Sequence, residues 1–99
     1  ASTVIIRYDA NAGDQTTAVR TDYGTLEAVN SGTTDGRVVT LGNGTHTLSG
    51  NFDMQTATTG NLTVQNTNNI AVNITGNVTN SVHNDTVTLS MGSGTWTVH

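Results

Sequence analysis

The run Asp9-Ala10-Asn11-Ala12-Gly13-Asp14 places its first side-chain oxygens as the opening of a calcium loop does. The match then breaks twice. The turn glycine comes one residue early, at Gly13, and Arg20 stands where an EF-hand closes with a bidentate Glu. Asp9, Asn11 and Asp14 thus form a candidate calcium site only in some other geometry, and a polar turn after a strand explains them more simply. Calcium is the one cofactor the sequence leaves open.

His83-Asn84-Asp85 sets a base beside a carboxylate, but general acid–base work needs partnered groups held in place, and a surface loop accounts for this tripeptide. The six Asp and the single Glu27 fall mostly in predicted turns and do not recur at a fixed interval. There is no Lys and no Cys, hence no amine or thiolate nucleophile and no disulfide framework. The glycine pairs Gly42/Gly44 and Gly92/Gly94 lack the third glycine and following helix of a dinucleotide fingerprint and read as corners. The chain is not expected to be an enzyme. Of its Asn-x-Thr sequons, those at Asn43, Asn77 and Asn84 lie in predicted turns, where a glycosylating host could reach them.

Composition explains why chemistry is so sparse. Of 99 residues, 21 are Thr, 12 Asn, 11 Gly and 6 Ser, and there is no Pro. The only cations are Arg7, Arg20 and Arg37, and the net charge is -4, so no basic patch exists to hold nucleic acid. No run approaches the roughly 18 apolar residues of a membrane helix. Thr and Val are β-branched strand formers and good helix formers are few, which points to an all-β chain. At 10 % charged residues the chain lacks the composition typical of disorder.

A repeat orders this polar sequence. Residues 42–48 read GNGTHTL and residues 92–98 read GSGTWTV; Thr47-Leu48-Ser49-Gly50-Asn51-Phe52 finds a partner in Asn73-Ile74-Thr75-Gly76-Asn77-Val78. The triplets Val39-Thr40-Leu41, Leu62-Thr63-Val64 and Val87-Thr88-Leu89 form a second series with the same period near 25. Such a period predicts coils of short strands that stack in parallel on one another. Alternation then points one set of columns inward: Leu48/Ile74/Val98, His46/Val72/Trp96, Val39/Leu62/Val87 and Leu41/Val64/Leu89. Thr40/Thr63/Thr88 form an outward ladder. Asn51 and Asn77 stack in turns, with Gly50 and Gly76 expected to supply unusual backbone angles.

The pattern G-x-G-T-x-T-aliphatic followed by small-Gly-Asn resembles the Thr/Asn/Gly-rich tandem repeats of large bacterial surface proteins, of adhesin or fibre type, with a right-handed parallel β-helix. The resemblance covers residues 37–99. It implies a structural or adhesive role at the cell surface or outside the cell, and it carries over no catalytic residue.

The expected fold is therefore a parallel β-helix, or β-solenoid, with coils of about 25 residues. Residues 1–38 are expected to form an N-terminal strand and an irregular or degenerate first coil, with Gly24–Val29 as a remnant 20 residues ahead of Gly44-Thr45, and residues 39–99 the regular coils of the same domain. The alternative is a small antiparallel β-sandwich that binds carbohydrate or decorates a virion, for which an exposed Trp96 would speak. Outward Thr-x-Thr pairs raise ice binding, but Ala71-Val72-Asn73 interrupts the array. The sequence stops at Val98-His99, where its earlier copy continues into Gly50-Asn51-Phe52, so the expectation is either a fragment or a subunit whose ends a neighbour covers. The apolar strand with Val4, Ile5 and Ile6 is the candidate assembly element. The expected partners are copies of the chain itself or adjacent repeats, with surface glycan a further option.

Overall fold

A computed structural model describes residues 4–83 and 85–99. Every element among them is a strand, and every strand pair is parallel. The short first coil holds β1 (Ile5–Asp9) and β2 (Gln15–Thr16), and its third side is the single bridge of Tyr23 to Leu48. The second holds β3 (Thr25–Asn30), β4 (Arg37–Thr40) and β5 (His46–Leu48). The third holds β6 (Phe52–Thr56), β7 (Leu62–Gln65) and β8 (Val72–Ile74), and the fourth β9 (Val78–Ser81), β10 (Val87–Ser90) and β11 (Trp96–Val98). Stacking gives three sheets, in the orders β1-β3-β6-β9, β10-β7-β4-β2 and β11-β8-β5. The chain is a β-solenoid, and uniformly parallel pairing excludes the antiparallel sandwich.

Alternation fills the interior. In β6 the side chains of Phe52, Met54 and Thr56 are buried while Asp53 and Gln55 face out, and β5, β7 and β8 repeat the pattern. The core runs up the stack through Leu26, Val39, Leu48, Phe52, Leu62, Val64, Val72 and Ile74. Burying each such side chain contributes on the order of 1.5–3 kcal/mol, and a thin coil needs only a few per turn.

Two predicted columns stand in register: His46 pairs with Val72 and Val72 with Trp96, and Leu48 pairs with Ile74 and Ile74 with Val98. In the other sheet Leu62 faces Val87 and Val64 faces Leu89 as expected. Val39, however, pairs with Val64, and Arg37 takes the place opposite Leu62. The Thr40/Thr63/Thr88 ladder is accordingly broken, because Thr40 faces Gln65 and Val38 faces Thr63. A slip of two residues leaves every side chain on its own face, so alternation alone could not detect it.

The coils also begin before residue 39. Leu26 pairs with Phe52 and Phe52 with Val78, so Gly24–Val29 aligns with the segment after Gly50 and not with Gly44-Thr45. Gly24, Gly50 and Gly76 form a column joined by backbone hydrogen bonds of 2.8 Å and 2.9 Å. Neither Gly50 nor Gly76 has a positive φ, contrary to expectation. A Cβ at Gly50 would lie 2.6 Å from Thr25 Oγ1 and 2.9 Å from the Gly24 carbonyl oxygen, and one at Gly76 would strike Asn51 Oδ1 and the Gly50 carbonyl oxygen. Glycine is required there by the close approach of successive coils.

Candidate functional site

The candidate calcium ligands are turned to donors of the protein itself. Asp9 Oδ1 accepts the Asn11 N–H at 3.0 Å and the Ser31 N–H at 3.2 Å, and its Oδ2 accepts the Ser31 hydroxyl at 2.6 Å. Burial pushes the Asp9 pKa up, but the bonds from Ser31 and Asn11 outweigh it and hold the carboxyl below the usual value. Asp14 Oδ1 accepts the Val38 N–H at 2.9 Å, and Asn11 packs against Gly32. These contacts tie the first coil to the second. Among the described residues no group of three or more His, Asp or Glu is placed to hold a metal ion.

His83 is exposed, and its N–H donates to Thr56 Oγ1. The Thr56 hydroxyl donates to Asp85 Oδ1 at 2.6 Å, while Asp85 Oδ2 and Arg37 Nε are buried with no hydrogen-bond partner among the described residues. Asn43 and Asn77 are exposed in turns, and Asn84 lies outside the described residues. Among the described residues there is no cavity.

Sequence reasoning missed a pair of buried asparagines. Asn30 and Asn66 are 0 % and 1 % exposed. The Asn30 carboxamide donates to the carbonyls of Thr34 and Asn61 and accepts the Gly32 N–H; that of Asn66 donates to Ile70 and Met91 and accepts the Ile70 N–H. Each satisfies a turn whose backbone has left the ladder. Their signal in the sequence was an Asn at the end of a strand, just before a turn: Asn30 is the last residue of β3, and Asn66 follows β7.

At the N-terminal end a polar network closes the interior. The Ala18 N–H donates to Tyr8 Oη at 2.9 Å, Tyr8 and Tyr23 share a hydroxyl bond of 3.0 Å, and the Tyr23 hydroxyl donates to the Ala18 carbonyl at 2.5 Å. Burial, followed by the bond to Tyr8, pushes the Tyr23 pKa far above its ordinary value, so Tyr23 remains a donor. The Tyr23 ring stacks on His46 at 5.8 Å between centroids, and the Arg20 guanidinium lies 5.5 Å from the Tyr23 centroid.

The C-terminal end is different. Among the described residues no further strand pairs with β9, β10 or β11, so their outer backbone groups form open edges. Inward-facing Val78 and Val98 are 37 % and 46 % exposed, as are neighbouring Val82 and Met91 at 41 % and 45 %, and Trp96 is only half covered by its ring contact with Phe52. The large hydrophobic residues exposed among the described residues are these four together with Val4, Ile5 and Val19 of the first coil; the two middle coils have none. Of the candidate assembly strand, Val4 and Ile5 are exposed, while Ile6 packs against the core.

No helix in the described residues is long and apolar enough to cross a membrane. No protein-family model, curated protein or solved structure matches the chain.

Proposed function

We infer that the chain is a structural building block of a stalk, fibre or filament, placed at the cell surface or outside the cell and without catalytic activity. Its work is mechanical. Backbone ladders along the coil axis resist stretching and bending, and a surface of Thr, Asn and Ser keeps the rod hydrated with few charges. The observation that carries this reading is the confinement of exposed large hydrophobic residues to the two terminal coils. In a monomer that distribution has no use, whereas stacking end to end would cover the inward-facing Val78 and Val98 of one copy with the first coil of the next.

The occupant of the open fourth coil is a second copy of the chain, received through its first coil, so that β9 of one molecule meets β1 of the next. Charge supports this polarity. Arg7, Glu27, Asp53 and Thr79 form one outward column, in which Arg7 pairs with Glu27 at 2.8 Å and Thr79 donates to Asp53. A copy arriving in register brings its Arg7 onto Thr79, one rung from the carboxylate of Asp53. Joining two first coils would instead bring their Arg7 side chains together.

Electron microscopy of the purified chain tests the proposal. Rods longer than the 33 Å long axis of one molecule are expected, growing more numerous with concentration. Particles that never exceed the monomer's dimensions at any concentration would overturn it.

A further inference from the structure

His46 belongs to the inward column with Val72 and Trp96, yet it is the odd member: an imidazole with 0 % exposure in a stack of apolar side chains. Its two nitrogens face different coils. Nδ1 lies 2.8 Å from the Gly44 carbonyl oxygen, which can only accept, so Nδ1 carries the proton and Nε2 is the acceptor. Nε2 lies 2.6 Å from Thr17 Oγ1, so the Thr17 hydroxyl donates to it. Thr17 Oγ1 in turn accepts the Gly42 N–H at 3.1 Å. The chain of bonds runs Gly42 to Thr17 to His46 to Gly44, with Thr17 from the first coil locked between two residues of the second.

This chain is satisfied only by a neutral ring. A second proton on Nε2 turns that nitrogen into a donor aimed at Thr17 Oγ1, and the Thr17 hydroxyl hydrogen then loses its acceptor. No carboxylate among the described residues is bonded to the ring to compensate. The groups packed about it are, from the first coil, Thr17 and the protonated phenol of Tyr23, with Tyr8 bonded to that phenol and Arg20, paired to Asp22, against the Tyr23 ring. From the third coil it meets the uncharged Val72. Burial accordingly pushes the imidazole pKa down, against a smaller opposing effect of the Gly44 bond.

We propose that His46 and Thr17 form an acid-sensitive clasp that holds the first coil on the second and releases it when the ring is protonated. β1 is held to β3 along its whole length and by the Arg7–Glu27 and Asp9–Ser31 bonds, but the rest of the first coil has few other anchors to share the load: β2 is two residues long, and the third side is one bridge. In the released state His46 meets water and titrates near 6.5, while in the closed state it does not accept the proton until lower pH. Closure is therefore complete above about pH 6.5 and is lost progressively below it, by about tenfold in the opening equilibrium for each pH unit. If end-to-end stacking operates as inferred above, the first coil is its mating half, and mild acid would dismantle the rod; the clasp itself does not depend on that reading.

Hydrogen exchange resolved by segment, at pH 7 and pH 5 and expressed as protection factors, tests the clasp without reference to assembly. Residues 5–23 should lose protection at least several-fold more than residues 52–74 on going to pH 5. The other two histidines, His83 and His99, are exposed and lie on the fourth coil, away from residues 5–23. In His46→Gln and His46→Leu the pH-dependent loss in residues 5–23 should vanish, even if either variant weakens that coil at both pH values. In the wild-type chain the His46 resonances should titrate together with the exchange of residues 5–23. Equal protection at both pH values, or an acid loss that persists in both variants, would overturn the proposal. Sedimentation of the same samples reads stacking separately, so a failed rod and a failed clasp give different results.

Discussion

The carboxamide oxygen of Asn51 accepts the backbone N–H of Asn77 at 2.9 Å, across 26 positions of sequence and one coil of structure. The bond recurs one coil earlier, where Thr25 Oγ1 accepts the Asn51 N–H at 3.3 Å. On another corner Asp35 Oδ1 accepts the Asn61 N–H at 3.0 Å, and Asn61 Oδ1 accepts the Thr86 N–H at 2.8 Å. The turns thus stack through side chains where the backbone ladder is interrupted, and the abundance of Asn and Thr has a specific structural use.

Asn51→Ala should cost about 1 kcal/mol or less, the net value of one exposed hydrogen bond. Gly76→Ala should cost more, about 1–3 kcal/mol, because its Cβ would push against backbone that cannot move without separating the coils. Gly13→Ala is the control, since a Cβ there meets nothing within 4 Å and its φ is not positive; it should be neutral within about 0.5 kcal/mol. Chemical denaturation of the three variants checks the order.

Tyr23→Phe removes the hydroxyl that donates to Ala18 and receives Tyr8. Two groups at the closed end of the core then lose a partner, and a loss of about 1–3 kcal/mol is expected. The damage should be local. Exchange should rise in residues 5–23 and stay unchanged in β7 and β8, which do not touch the network.

Stability should fall on mild acidification. His46 has a folded pKa below its unfolded value of about 6.5, so its contribution is whole above that pH and is lost as pH falls toward the folded pKa, at about 1.4 kcal/mol per unit. A second decline belongs to Asp9, whose folded pKa is also lowered. Its contribution is present above its unfolded value of 3.8 and disappears as pH drops through the folded one. Thermal melts across this range should show a descent that begins near pH 6.5 and a further loss below pH 3.8, and His46→Gln should remove the part that begins near pH 6.5.

Val78→Asp and Val98→Asp place charges on the open end of the stack. Both side chains are more than a third exposed, so the isolated fold should lose only about 1 kcal/mol, part of the value of a fully buried Val. Stacking should nonetheless be abolished, because a carboxylate would be buried without a partner at the joint. Denaturation and sedimentation, measured on the same variants, separate the two effects.

Much of this architecture was legible because the repeated G-x-G-T-x-T motif anchors β5 and β11, and alternation does the rest. Trp96, His46 and Leu48 stand where that motif put them. The neighbouring sheet was less readable, because Val39 matches Leu62 and Val64 equally well by type and alternation is preserved by the two-residue slip between them. The reason for glycine at Gly50 and Gly76 was hidden too, because close approach between coils is a tertiary fact that composition does not encode. The polar network around His46 was invisible for the same cause: it joins Thr17, Tyr8 and Tyr23 from a coil with no repeat signature. An inward place for His46 could be read, but its partners could not.

The most direct test of end-to-end stacking is the emission of Trp96 as a function of protein concentration. It is the only tryptophan in the chain, half-buried on the open fourth coil against Phe52, with its indole N–H donating to the Met91 carbonyl at 2.9 Å. A copy docking on that coil removes the remaining water from the ring. The emission maximum should move to shorter wavelength as concentration rises, and the shift should be absent in Val98→Asp. An emission maximum that stays fixed at every concentration would contradict stacking through the fourth coil.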